Sequence, residues 1–374
     1  MNDSPSHLPS PHPINNSLFR FQTIRRVLLL LAIFHFFLLM CYSLPKRLLR
    51  TDRNRDVLAY YLVSERIQKG EPVYWPLPGV GPHKPSTPFY LYPPVLSSIL
   101  AIMPPTSFVK FAQVWTILLY TVFWIYAACL TRLAVGQATL SGILVAGLVL
   151  TCFPGTHIAL SYGQLDPFLW ALFGLALAVP ALRGAGLMAI TFVKPWAIWP
   201  LIWAFRDGKR VWIGALLVAV GGVGVGMFVL GPMKFYTECY IWLRDVLPSL
   251  GQGTWTAGSK GSWSLSFAVL RAIKALQLWA YEGGVLPFWA RAWLTFSASA
   301  APLLVGWLLR HRSMALQISA MGCAAVLFAP TCWTSYLPLI LSLFAVLIDH
   351  AIASSERVSS EESSSYRIHR YPRR

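Results

Sequence analysis

The sequence predicts an all-α, polytopic transmembrane helical bundle, and three observations predict it. Of 374 residues, 56% are hydrophobic and only 12% charged, against roughly a quarter charged in ordinary soluble domains. Apolar runs approaching the ~20 residues that a bilayer-crossing helix needs recur along most of the chain, separated by short polar breaks. The 26 Gly, 27 Pro and 16 Trp suit a membrane interior, where neighbouring helices re-satisfy broken backbone and indoles settle at headgroup depth. A soluble domain is excluded. The net charge of +17 does not mark a nucleic-acid binder, because the basic residues are scattered among apolar spans and form no binding module. Membrane lipid, especially anionic lipid, is the expected partner. The six cysteines lie mostly inside apolar runs without CxxC spacing, which points to packing rather than to disulfides or zinc.

Residues 1–24, rich in Ser, Pro, His and Asn, and residues 351–374, polar and of low complexity, are expected to be disordered cytosolic tails. Residues 27–44 follow Arg20, Arg25 and Arg26 and run into Leu44-Pro45-Lys46-Arg47 without a small-residue cleavage site, so they read as an anchor. Residues 92–103 are bounded by Pro93-Pro94 and Pro104-Pro105 and are short for a span, so a re-entrant or interfacial helix is expected. The run 185–205 is broken at Lys194-Pro195, where a charge meets a helix breaker. The remaining runs, 108–130, 138–154, 165–181, 211–231, 285–309, 314–329 and 333–349, bring the expectation to about ten spans, some of them short or broken. A cytosolic amino terminus puts the short loops carrying Arg132, Arg183, Arg206, Lys209, Arg210, Arg310 and Arg312 on the cytosolic side. The short loops 155–164 and 330–334, which lack Lys and Arg, then lie outside. Two long external segments follow, about 45–107 and 232–284. Their basic residues need an anionic partner, which phosphate at the outer membrane surface supplies.

Few acidic residues face outside in this topology, and any external general base comes from them. Asp56 opens DVLAYYLVSERIQKG, a short helix closed by Gly70. It serves either as a helix cap or as a general base beside Arg53 and Arg55. Tyr60, Tyr61 and Tyr92 in the same segment form either an interfacial belt or stacking faces for sugar rings. Gln164 and Asp166 stand just before a span, where Asp166 either caps the helix or joins Gln164 in binding hydroxyls or a cation. Lys194, costly in an apolar run, either snorkels to the interface or pairs with phosphate. Arg244, Lys260, Arg271 and Lys274 are further basic candidates, while His157 reads as a polar loop residue. The run 221–226 (GGVGVG) lies mid-span without a preceding strand, so it reads as helix packing rather than a nucleotide loop.

In order along the chain, Asp56, Tyr60, Tyr61, Gly70 and Tyr74, then Tyr92-Pro93-Pro94, Pro154 before Gly163-Gln164, Lys194-Pro195, Ser264-Leu265 with Arg271, and Pro330 with Trp333 make a recurring pattern. This pattern resembles the GT-C superfamily of integral-membrane glycosyltransferases, most closely glycosyltransferase family 87, the polyprenol-phosphate-mannose-dependent mannosyltransferases. The resemblance implies a GT-C-like domain over 25–350, with short interfacial helices in its external loops. It also implies inverting transfer of a hexose, mannose in that family, from a polyprenyl-phosphate donor to a lipid or glycan acceptor at the non-cytosolic face of the plasma membrane. Asp56 would be the catalytic base. Tyr60, Tyr61, Tyr92, Gln164, Asp166, Lys194 and Trp333 would bind substrate, and Arg53, Arg55 and Lys194 would hold phosphate. No metal or other cofactor enters this scheme. The chain departs from the pattern at Asp166, where the family often has Asn, at Tyr336, where it has His, and at Trp263, where it has Asn. A transporter or lipid flippase is the rival reading. It calls for ionisable residues deep in spans or for inverted repeats, and the sequence offers one broken span and no repeat.

Overall fold

The computed structural model describes residues 14–50, 55–74, 90–103, 106–247, 264–275, 287–329 and 334–368, and it is helical throughout, with no strand among the described residues. Helix α1 (Ile14–Phe37) passes through a π-helical turn at Leu38–Ser43 into α2 (Leu44–Leu49). Next come α3 (Arg55–Gln68), α4 (Pro94–Ala101), α5 (Phe108–Val135), α6 (Leu140–Thr151) and α7 (Pro154–Tyr162). The chain continues through α8 (Asp166–Ala178), α9 (Arg183–Thr191), α10 (Ile198–Ala204), α11 (Lys209–Leu230) and α12 (Pro232–Ile241). The last four are α13 (Leu265–Ala275), α14 (Phe288–Leu308), α15 (Met314–Phe328) and α16 (Ile340–Ile368).

Among the described residues, four helical stretches are long and apolar enough to cross a membrane: 22–49, 108–135, 209–230 and 335–355. The pair α6 and α7, bent by 87° at Pro154, makes a fifth if taken as one broken span. The expectation of about ten spans is not confirmed: the described residues offer four or five candidates. Much of the difference lies in length: α8 has 13 residues and α15 has 15, short of the ~20 that cross hydrocarbon. The run 185–205 is split, as the sequence suggests, into α9, a 3-10 turn at Pro195–Ala197 and α10. The loop expected at 155–164 is instead largely the helix α7, started by Pro154 at its first turn. Helix also enters both stretches expected to be disordered, from Ile14 and as far as Ile368. Residues 14–24 and 351–368 contain no Gly or Pro to stop it, and Pro13 stands just before the first of them.

Helix α5 is the axis of the bundle, packed by α6, α8 and α16, with Tyr126, Phe123, Trp170 and Phe173 fully buried. A helix apolar on every side belongs in such a core, and α8 is buried over most of its length. By contrast, α1 and α11 leave Leu30, Phe34, Leu216, Leu217 and Phe228 bare. Apolar surface of that extent is untenable in water and fits a lipid boundary.

One end of the bundle gathers basic residues. Arg183, itself buried, pairs with Asp207 and donates to the Ala176 carbonyl (3.2 Å). Beside that pair, Trp203 donates to Gln317 (2.6 Å), and Gln317 in turn donates to the Arg312 carbonyl (2.6 Å). Arg206 and Arg310 stack over Trp203 and Trp307. Helix α8 runs from this end to the opposite one, where Asp166 stands.

Candidate active site

The first turn of α3 carries Asp56, and the partly positive start of a helix favours a carboxylate there. Val57, Ala59, Tyr60 and Val63 turn that helix's apolar face inward. Across from it, α7 ends at Gly163, whose φ of +70° is the left-handed conformation that glycine adopts without strain. A Cβ at Gly163 would run into Val57 Cγ2. Only glycine lets this turn close onto α3, and Trp115 secures the turn by donating to the Gly163 carbonyl (2.8 Å). The close approach delivers Gln164 to Asp56, and the two side chains hydrogen-bond.

Asp166 follows in the first turn of α8 but caps nothing: the N-cap residue is Leu165, without a side-chain cap bond. Asp166 is 5% exposed, and its Oδ1 has no hydrogen-bond partner among the described residues. Lys194 sits in extended backbone between α9 and the Pro195–Ala197 turn. Its Nζ lies 4.8 Å from the ring centroid of Tyr92 and 5.2 Å from that of Tyr336. It forms no ion pair among the described residues, although its charge acts on Asp56 and Asp166. An ammonium held over two aromatic faces and left without a carboxylate is ready for an incoming anion.

Burial pushes the Asp56 carboxyl up to about 6. The Gln164 hydrogen bond and the Lys194 charge pull against that rise, and the Asp166 charge adds to it. The hydroxyls of Tyr60 and Tyr92 lie 3.2 Å apart. Burial raises both phenols above their ordinary value, so each keeps its proton. Tyr92 is held by Tyr74, which donates to its carbonyl (2.6 Å), and its neighbour Leu91 accepts from Trp242 (3.2 Å). Helix α12 braces this wall from outside. Lys234 donates to the Gly70 and Glu71 carbonyls (2.8 Å each), and Glu238, buried, accepts from the Val73 amide (3.0 Å).

The fourth wall is the 3-10 turn Thr334–Leu339. Trp170 donates to the Ser335 carbonyl (3.0 Å), and Tyr126 donates to the Pro338 carbonyl (2.8 Å), fixing the turn to α8 and α5. Ser335 thereby lies against Asp166 and Tyr336 against Lys194.

Of the residues singled out in the sequence, Asp56, Tyr60, Tyr92, Gln164, Asp166 and Lys194 meet in one chamber. Tyr61 turns away from it: its hydroxyl donates to the Thr106 carbonyl (3.1 Å) and its ring packs edge-on against Phe108 and Phe111. Arg53 and Trp333 lie outside the described residues, as does the side chain of Arg55. Lys260 and the side chains of Arg271 and Lys274 also lie outside them, and Arg244, exposed, pairs with its neighbour Asp245. Sequence reasoning missed Ser335, whose only signal is a hydroxyl in the break before the last span. No three or more of His, Cys, Asp and Glu gather at metal-ligand distance among the described residues.

The arrangement offers a carboxyl of raised pKa, an ammonium that forms no ion pair among the described residues and hydroxyl-bearing aromatic rings in one cluster. That is equipment for deprotonating a hydroxyl beside an anionic leaving group. The family model described as glycosyltransferase family 87 matches residues 90–342, more than half of the chain. The match covers Tyr92, Gln164, Asp166, Lys194 and Tyr336 and begins after Asp56. Neither a curated protein nor a solved structure gives a match.

Proposed function

Since the chain belongs to glycosyltransferase family 87, we propose that it moves a hexose, mannose in this reading, from a polyprenyl-phosphate donor to a lipid or glycan acceptor. Transfer occurs at the non-cytosolic face of the plasma membrane. The observation that carries the reading is the meeting of Asp56, Gln164 and Lys194, drawn from three separate parts of the chain, at one end of the bundle.

In this scheme Asp56 takes the proton of the acceptor hydroxyl as its oxygen attacks the anomeric carbon. The bond from that carbon to the phosphate oxygen breaks, and its electron pair leaves with the lipid phosphate. Attack from the face opposite the leaving group inverts the anomeric centre. Lys194 neutralises the charge that grows on the departing phosphate. Among the described residues one ammonium stands at this site, and it suits the negative charge of a sugar-phosphate diester. Tyr60 and Tyr92 keep their protons and offer a hydroxyl to the same oxygens or to the sugar. The reaction consumes no cofactor.

The test incubates purified protein with labelled polyprenyl-phosphate sugar and follows release of the lipid phosphate. Asp56→Asn keeps the shape and the Gln164 contact while removing the base, so transfer is expected to vanish with the thermal unfolding profile unchanged. Full activity in that variant overturns the assignment.

A further inference from the structure

Buried polar side chains are nearly always hydrogen-bonded, and orphans mark places where a ligand completes the set. Among the described residues, Gln164 Oε1 and Asp166 Oδ1 are two such orphans on neighbouring turns of chain, and the Ser335 hydroxyl beside them has only the Asp166 carboxylate to meet. They arrive by independent routes. The Gly163 turn brings Gln164, the start of α8 brings Asp166, and the 3-10 turn anchored by Trp170 brings Ser335. Asp166 is 5% exposed, caps no helix and forms no ion pair among the described residues, with only the Ser335 hydroxyl and the Lys194 charge to offset its burial, an arrangement that costs stability unless something else uses it.

Donors stand beside these acceptors. Lys194 forms no ion pair among the described residues, though it lies close enough to Asp56 and Asp166 to feel both charges, and the Tyr60–Tyr92 pair shares one hydrogen bond between two hydroxyls, which leaves one proton to give. A phosphate belongs on Lys194 and the tyrosine hydroxyls. Gln164 Oε1 and Asp166 Oδ1 fit a group that brings hydroxyl protons and no charge.

We propose that Gln164, Asp166 and Ser335 read the hydroxyls of the transferred hexose, with Asp166 Oδ1 accepting from the one hydroxyl whose presence decides which sugar is moved. This rests on the transfer reaction proposed above and adds its specificity determinant. A carboxylate at this position calls for a donor from the sugar. A site whose buried polar group is left unmet by a substrate analogue rejects that analogue strongly.

The test uses polyprenyl-phosphate hexoses lacking one hydroxyl at a time, together with their epimers. Equilibrium affinity and kcat/KM are measured for the native protein and for Asp166→Ala, Asp166→Asn and Ser335→Ala. One deoxygenation is expected to cost the native protein about a hundredfold in affinity or kcat/KM, as a hydrogen bond to a charged group does, and to cost Asp166→Ala nothing more. Asp166→Asn, which keeps the shape and guards against misfolding, is expected to alter the ranking of epimers while its unfolding temperature stays unchanged. Binding of polyprenyl phosphate without sugar is measured beside these, to separate the phosphate's share of each affinity. Equal penalties for every deoxygenation in native protein and Asp166→Ala overturn the proposal. So does loss of sugar-donor binding on chelation that magnesium restores, which would make these oxygens cation ligands. Native protein that binds polyprenyl phosphate but no sugar donor overturns it as well. Native protein that binds the donors without transferring the sugar overturns the proposed reaction alone, and the affinities still decide the role of Asp166.

Discussion

Burial holds the Asp56 carboxyl near 6 rather than in the usual carboxylate range, and a base works only once its proton is gone. Transfer measured as kcat/KM is therefore expected to be level at neutral pH, to halve near pH 6 and to fall about tenfold per unit below that. A profile that stays flat down to about pH 4.5 would show that another group takes the proton. Lys194 makes the second prediction at this scale. Lys194→Gln removes the charge facing the leaving phosphate, and kcat is expected to drop on the order of 10²–10³-fold in a protein that still folds. Both residues stand out in the sequence for one reason: a chain with so few charged residues leaves those beside or inside apolar runs conspicuous. Ser335 was not legible, because a serine carries no signal until its partner across the fold is known. Tyr61 shows the converse, since adjacent tyrosines on a helix point to different faces and the sequence alone does not say which one looks inward.

At the level of elements, the turn between α7 and α8 bears the strictest requirement. Gly163→Ala meets both a left-handed backbone and the Val57 side chain. It is expected to lose about 1–3 kcal/mol of stability from the backbone alone and to push Gln164 away from Asp56. Thermal unfolding and transfer rate read the two effects. Adding Val57→Ala should recover part of the rate and leave the backbone strain, and full recovery of both would refute the steric account. The breaks at Pro93-Pro94 and Lys194-Pro195 were legible because proline acts locally. The number of spans was not. Hydropathy records that a segment is buried in something apolar, and α8 is surrounded by protein where α11 is bare, so similar apolar runs serve as core in one case and as lipid boundary in the other.

Over the whole molecule, the two ends of the bundle differ in kind. One carries Arg183, Arg206, Arg310 and Arg312 around a single ion pair and a glutamine clasp, and the other holds the chamber. The excess of Lys and Arg in short loops forecasts this asymmetry, because positive loops stay on the cytosolic side. It leads to a prediction that no single residue makes. In a cysteine-free background, single cysteines at Glu71 and at His311 are expected to react with a membrane-impermeant thiol reagent from opposite sides of sealed vesicles. Labelling of both from the same side would end the assignment of the chamber to the non-cytosolic face.

The clasp between α12 and the stretch after α3 carries one more consequence. Lys234 and Glu238 touch no atom that reacts, yet they grip the stretch leading from the base's helix towards the tyrosine wall. The proposed active site is thus steadied by a downstream piece of chain, much as a hinge pin steadies a door. A pull on that piece would reach Tyr92 through Tyr74, which follows the gripped residues and donates to the Tyr92 carbonyl.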